Sequence, residues 1–217
     1  LWARRERNTL RTSYYEMKHF VRDFGGLIAP QYRNLGFVLD WNAKGVDALA
    51  RRCNPEGFYW PDGELDDLGY GELVDANRLF AEVKAGLKSS LIHGVSFMVT
   101  TQGDPDAGEP AALVHAKDAL NATGIWNTRT RSLDAALSIH EWDDDAPVRG
   151  SRPKSFSMYL DGVTVNVERV EGVWEVDRQS HRWGVPVEPL IYKPGTRTFG
   201  SSRITRATMV LQDSAVR

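Results

Sequence analysis

At Gly94 the hydrophobic rhythm of the chain changes period, and this change restricts the possible folds more than any other feature. Before it, apolar residues recur every three or four positions, the spacing of one helix face; after it, they alternate, the spacing of a half-buried strand. The clearest alternation runs through Ser155 to Leu160, Val163 to Val170 and Val173 to Arg178, with Asp161-Gly162 and Glu171-Gly172 at the two bends. Such pairs suit tight hairpin turns, so a three-stranded antiparallel meander is predicted. Two further strands are predicted at Val95 to Thr101 and Ala111 to Ala116, joined by a turn-rich connection. Leu133 to Trp142 fits either period, and the IHEW run leading into three aspartates favours a strand.

The segment ahead of Gly94 reads as helical. Tyr14, Met17, Phe20, Val21 and Phe24 share one face of a helix from about Ser13, stopped by Gly25-Gly26. A second helix follows Pro30 and carries Leu35, Val38, Leu39, Ala43, Val46 and Leu49. The Pro- and Gly-dense stretch from Asn54 to Gly71 reads as a loop, with one short strand at Phe58 to Trp60. A third helix is predicted from about Glu72, burying Leu73, Ala76, Leu79, Phe80, Val83, Leu87 and Leu91. Near the other end, Ser201 or Ser202 after Gly200 can cap a helix whose stripe is Ile204, Ala207, Val210 or Leu211, and Ala215.

Helices, then strands, then a helix argue for an α+β fold over a wound parallel sheet. The chain is read as one unit, residues 1–217: about 1–93 mainly helical, about 94–192 mainly β, about 200–217 the start of a long helix. That last helix has no stop signal and the chain opens without Met, so a piece of a longer protein is expected. Asp143 to Pro153 is charged, holds Gly150 and two prolines, and is predicted to be an exposed mobile loop.

The 217 residues are 41% hydrophobic and 26% charged, a globular composition. No apolar run approaches the roughly 20 residues that span a bilayer, so no membrane role is expected. The net charge of −2 excludes a global basic field that would hold nucleic acid through counterion release. The single cysteine, Cys53, excludes a disulfide framework and a cysteine zinc site, and is expected to be a buried, unreactive thiol.

Chemistry-bearing patterns are scarce. Asp143, Asp144 and Asp145 are adjacent, so their side chains point to alternate sides rather than to one cation. Asp104, Asp106 and Glu109 have better spacing for oxygen ligands, though Asp, Gly and Pro are also what a turn requires. The five histidines hold no i, i+4 pair of the kind a helical zinc site uses. GLKSS at Gly86 to Ser90 lacks the upstream Gly and the preceding strand of a phosphate loop, and no G-x-S-x-G is present. Asn121-Ala-Thr123 matches a glycosylation acceptor with nothing else pointing to secretion. No cofactor, metal or catalytic residue is therefore predicted. Of the tryptophans, Trp41, Trp60 and Trp183 default to core packing, Trp174 is expected to pack on the meander, and Trp126 and Trp142 are harder to place inside.

VPVEPLIYKPGTRTFGSSRITRATMVLQDSAVR resembles the segment leading into the conserved helices of bacteriophage portal proteins of the SPP1 and HK97-like type. Val185 to Leu190 fills their Pro-Val-x-Pro strand, Gly200-Ser201-Ser202 their G-x-S loop, and Ile204 with Leu211-Gln212-Asp213 their following helix. YYEMKH at Tyr14 to His19 and Trp41 to Phe58 look like the amino-terminal helices of actinobacterial phage and prophage portals. Thr123 to Ile139 is similar to their W-D-x-x-T segment, with Asn127 where Asp is usual, and MYLDG is similar to a strand of theirs.

The resemblance implies that this is the wing of a portal subunit, leading by its last helix into a stem that lies outside the chain. It implies a structural protein without ATPase activity, forming a ring of roughly a dozen identical subunits through head-to-tail contacts. Such a ring sits at one capsid vertex, and its partners are other portal subunits, the major capsid protein, terminase and head–tail connector proteins. DNA passes through it during packaging and ejection without sequence-specific binding. The expected location is the virion, and the host cytoplasm during assembly. Within the ring, Asp143, Asp144 and Asp145 of one subunit are expected to meet Arg203 and Arg206 of the next. Two alternatives stand beside this: a metal-dependent enzyme domain using the acidic loops, and a protein-binding adaptor with an exposed sheet edge.

Overall fold

Gly94 closes a helix in left-handed backbone at φ 100°, a conformation that strains any residue with a Cβ. That helix, α4 (Leu79–His93), leads directly into strand β1 (Val95–Gln102). The computed structural model describes residues 1–19, 39–59, 61, 69–143, 152–195 and 198–216. Within them lie α1 (Trp2–Tyr15), α2 (Trp41–Ala50) and α3 (Tyr70–Asn77) ahead of α4. After β1 come β2 (Ala112–Asp118), β3 (Ala122–Asn127), β4 (Ser132–Trp142), β5 (Pro153–Leu160), β6 (Val163–Val170), β7 (Val173–Ser180), β8 (Val187–Ile191) and α5 (Arg206–Val216).

The strands form two antiparallel sheets. One has the order β2-β1-β8, and the other is a meander in chain order, β3-β4-β5-β6-β7. The α+β expectation holds.

Two cores lie on either side of the β2-β1-β8 sheet, and α4 packs against one face of that sheet. On the sheet side of α4, Gly86 allows close approach: a Cβ there would sit 2.8 Å from Leu190 Cδ1, and Ser96 Oγ donates to the Gly86 carbonyl at 2.6 Å. Behind β1 the two sheets face each other over Phe97, Val99, Leu133, Ala136, Tyr159 and Val187. Each large apolar side chain removed from water here contributes about 1.5–3 kcal/mol. Tyr159 is fully buried and its hydroxyl meets Ser138 Oγ at 3.0 Å, which satisfies two polar groups that would otherwise be stranded. On the other side of α4, Tyr14, Val46, Leu91, Ile92, Ile204 and Met209 form a helical core.

Several sequence expectations change. The first helix begins at Trp2 rather than near Ser13 and ends at Tyr15; Phe20, Val21, Phe24 and Leu35 to Val38 lie outside the described residues. The third helix is two, because Arg78 takes left-handed backbone at φ 48° and breaks the axis between α3 and α4. Phe58 and Tyr59 are irregular, and Trp60 lies outside the described residues. Strand β3 was not anticipated: its Gly124 and Asn127 weaken the alternating signal. The cap of α5 is Thr205, whose Oγ1 accepts from Thr208 N at 3.3 Å, while Ser202 Oγ bonds the Ile92 carbonyl and Ile204 N. In α5 the inward residues are Met209 and Gln212, at 9% and 4% exposure, whereas Val210 and Leu211 stand out at 53% and 63%.

Cys53 is half-buried rather than buried. The tryptophans also depart from core packing: Trp41, Trp174 and Trp183 are exposed. Trp174 does touch the meander, edge-on to Phe156 with centroids 6.0 Å apart, but its strand β7 is exposed at every position.

Candidate assembly surface

The amino-terminal sequence WARRERNTLR becomes helical as α1, which places Arg4, Arg7 and Arg11 on neighbouring turns of one face. Its inner side is fixed by polar contacts. Asn8 Nδ2 donates to the Ala119 carbonyl at 3.1 Å, and Arg11 donates to the His93 carbonyl at 2.7 Å. The His93 ring is buried at the end of α4, with Nε2 2.9 Å from Thr12 Oγ1 and Nδ1 3.3 Å from Ser89 Oγ. Burial lowers its pKa to about 4, helped by the Arg11 guanidinium and opposed by Asp118. The imidazole is therefore neutral at physiological pH and serves as a polar pin between α1 and α4.

The same face of α1 also borders open space. A cavity of about 540 Å³ is bordered by Arg4, Arg7, Arg11, Phe97 and Phe199. A second, of about 810 Å³, is bordered by Arg7, Arg11, Lys193, Thr205 and Arg206. Arg206 is exposed in the first turn of α5, and Arg203 is exposed just before it. Arg203 is partly engaged within the subunit, its Nε donating to the Gly45 carbonyl at 2.6 Å.

Asp143 is half-buried at the end of β4, where its backbone N–H donates to the Arg152 carbonyl at 2.9 Å. Asp144 and Asp145 lie outside the described residues. No described ion pair joins Asp143 to Arg203 or Arg206 within the subunit. The carboxylates considered for a cation close their own turn instead. Asp104 Oδ1 accepts from Asp106 N at 3.0 Å and Glu109 Oε2 accepts from Asp104 N at 2.9 Å. Among the described residues no group of three His, Cys, Asp or Glu side chains is placed to hold a metal. No helix of the described residues is long and apolar enough to cross a membrane.

Sequence reasoning overlooked Arg4, Arg7 and Arg11. Their spacing was readable, but the helix start at Ser13 left them outside any element. From sequence His93 is simply one of five scattered histidines, and no local pattern marks its partner Thr12, 81 residues away.

The chain is 25% identical to the portal protein of Mycobacterium phage L5 over 215 residues, which is 95% of this chain and 43% of that protein. It is 26% identical to the portal protein of Mycobacterium phage D29 over 213 residues, again 95% of this chain and 43% of the relative. The chain thus spans less than half the length of these curated relatives. Residues 1–193 match the family described as phage portal protein, SPP1 Gp6-like. With most of its length matched in this way, the chain belongs to the SPP1 Gp6-like family of phage portal proteins.

Proposed function

We propose that this chain forms the outer α+β wing of a portal subunit, and that roughly a dozen copies of the complete subunit close into a ring by head-to-tail contacts. The ring occupies a capsid vertex, admits DNA during packaging and releases it during ejection, first in the host cytoplasm and then in the virion. Its partners in this reading are neighbouring subunits, the major capsid protein, terminase and head–tail connector proteins. The chain acts as structure, with no cofactor and no reaction of its own.

The observation that carries the reading is the family match over residues 1–193. A net charge of −2 is compatible with it, because a conduit that gripped phosphate tightly would retard moving DNA. Register between neighbours is assigned to Asp143, Asp144 and Asp145 of one subunit against Arg203 and Arg206 of the next. The exposed edge strand β7, which favoured an adaptor role, fits a surface used between subunits equally well.

The test is to purify the complete gene product containing these residues and examine it by native mass spectrometry and negative-stain electron microscopy. Closed rings with a central opening are expected. A product that stays monomeric at every concentration, or a gene whose loss leaves DNA-filled infectious particles, would refute the proposal.

A further inference from the structure

The two cavities along α1 both border Arg7 and Arg11, so they adjoin, and together they make a basic furrow whose borders include Arg4, Lys193 and Arg206. Among the described residues no carboxylate lies within ion-pair distance of Arg4, Arg7, Lys193 or Arg206. Both helices that border the furrow have no acidic residue in their first turn, and α1 carries Arg4 and Arg5 there while α5 opens on Arg206. Cations at that end oppose the helix dipole and lower the stability of each helix. A chain with net charge −2 nevertheless places several of its 27 lysines and arginines together here.

A complementary surface lies on β6 and β7. Glu168 stands directly opposite Glu175, and Asp177 follows on the same face beside Asn166. Like charges directly opposed weaken a sheet, so this placement is also unfavourable for the isolated subunit. Alternation puts Arg169 and Arg178 on the other face. The nearby Lys154 is taken by Glu141 at 2.9 Å, and no described salt bridge reaches Glu168, Glu175 or Asp177. Glu168, Glu175 and Asp177 border a cavity of about 420 Å³ with His140, Ser157 and Asn166. Neither β6 nor β7 makes a sizeable contact with α1 or α5, so the two charged surfaces stay apart within one subunit.

We propose that the carboxylates Glu168, Glu175 and Asp177 of one copy of this chain dock in the furrow of Arg4, Arg7, Lys193 and Arg206 on the next copy. The contact joins two different surfaces, so repeating it generates a ring or a filament rather than a two-fold dimer. This inference rests on the ring reading and names the residues that would bring neighbours together.

Charge exchange between two variants of the complete gene product tests it. E168K/E175K has two basic surfaces and R7E/R206E has two acidic ones, so each alone is expected to lose ring formation in electron microscopy and sedimentation. Mixed together, the two variants are expected to recover rings, which unfolded subunits would not do. Raising salt from about 0.1 M to about 1 M, which shortens the screening length from roughly 10 Å to 3 Å, should disperse wild-type contacts. Rings formed by either variant alone, or a mixture that stays dispersed, overturn the pairing while wild-type rings still uphold the portal reading. Failure of the wild type to form rings would instead overturn that reading and this inference with it. Should R7E/R206E lose retention of double-stranded DNA while E168K/E175K assembles normally, the furrow's partner is the phosphate backbone and the pairing is overturned.

Discussion

Protonation of His93 should loosen the seam between α1 and α4. The ring has an ordinary pKa of 6.5 when the chain is unfolded and about 4 when folded, burial being the largest cause. The sign follows from the lowered value: above pH 6.5 the ring is neutral in both states and contributes nothing. Below it, the unfolded chain takes up a proton that the folded chain refuses, so stability falls until the penalty levels off near pH 4. A tenfold difference in proton affinity between the two states is worth about 1.36 kcal/mol, so the loss reaches about 2 kcal/mol at pH 5 and about 3 kcal/mol once both forms are protonated. His93→Gln removes the titration while keeping an amide that can bond Thr12, at a fixed cost of about 1 kcal/mol. Urea unfolding of both proteins at about pH 7.5, 6 and 5 measures the difference. Carboxylates common to both cancel in the comparison, leaving a steeper loss on acidification for the wild type. Equal pH slopes for the two proteins would refute the argument, as would an NMR titration of the His93 ring with a midpoint at 6 or above.

Gly200→Ala should destabilise severely, by about 3 kcal/mol or more in a thermal melt, because its φ is 59° and a Cβ would collide with the Tyr192 carbonyl oxygen. A melt unchanged within error would show that the loop before α5 can move aside. Gln212→Leu removes the Oε1 that accepts from Asn42 N at 3.0 Å and Asn42 Nδ2 at 2.8 Å. Leaving Asn42 N buried and unpaired, and Asn42 Nδ2 with the long bond to the Thr208 carbonyl at 3.4 Å, should cost about 2 kcal/mol, with faster amide exchange in α2 and α5 as the readout. Tyr159→Phe strands Ser138 Oγ in the core and should cost about 1 kcal/mol, read from the change in denaturation midpoint. Calcium or magnesium should leave the melting temperature unchanged, since Asp104 and Glu109 are spent on their own turn. A specific ion at 100 times its dissociation constant would add about 2.7 kcal/mol and contradict this.

The β half of the fold was legible because its signals are local. Asp161-Gly162 and Glu171-Gly172 set the hairpins, and the registers of β5, β6 and β7 follow from them without a bulge. What escaped was decided at a distance. Nothing near Arg78 in sequence marks it for left-handed backbone, a choice made by the need to turn α3 away from α4. The α5 stripe was misassigned because apolar spacing selected Val210 and Leu211, whereas the groove beside α2 has a polar floor that selects Gln212. Hydrophobicity alone assigns the tryptophans inward, yet β7 is a sheet edge exposed at every position, where Trp174 meets Phe156 edge-on and Arg169 across its ring. On the assembly surface, Arg203 and Arg206 were identified from sequence, while the arginines of α1 required knowing that the helix reaches back to Trp2.

The clasp between distant helices also dictates an order of events at the ribosome. Tyr14 donates to Asp213 at 2.7 Å and Asn42 to Gln212, spanning 199 and 170 residues. Sheet hairpins, and the packing of α1 and α2 on α4, can form as soon as each leaves the exit tunnel, whereas the bonds of Tyr14 and Asn42 to α5 must wait until residue 213 emerges. At a synthesis rate of about 5–20 residues per second, that wait is on the order of ten to forty seconds, so the seam with α5 is the last part of the helical core to be sealed.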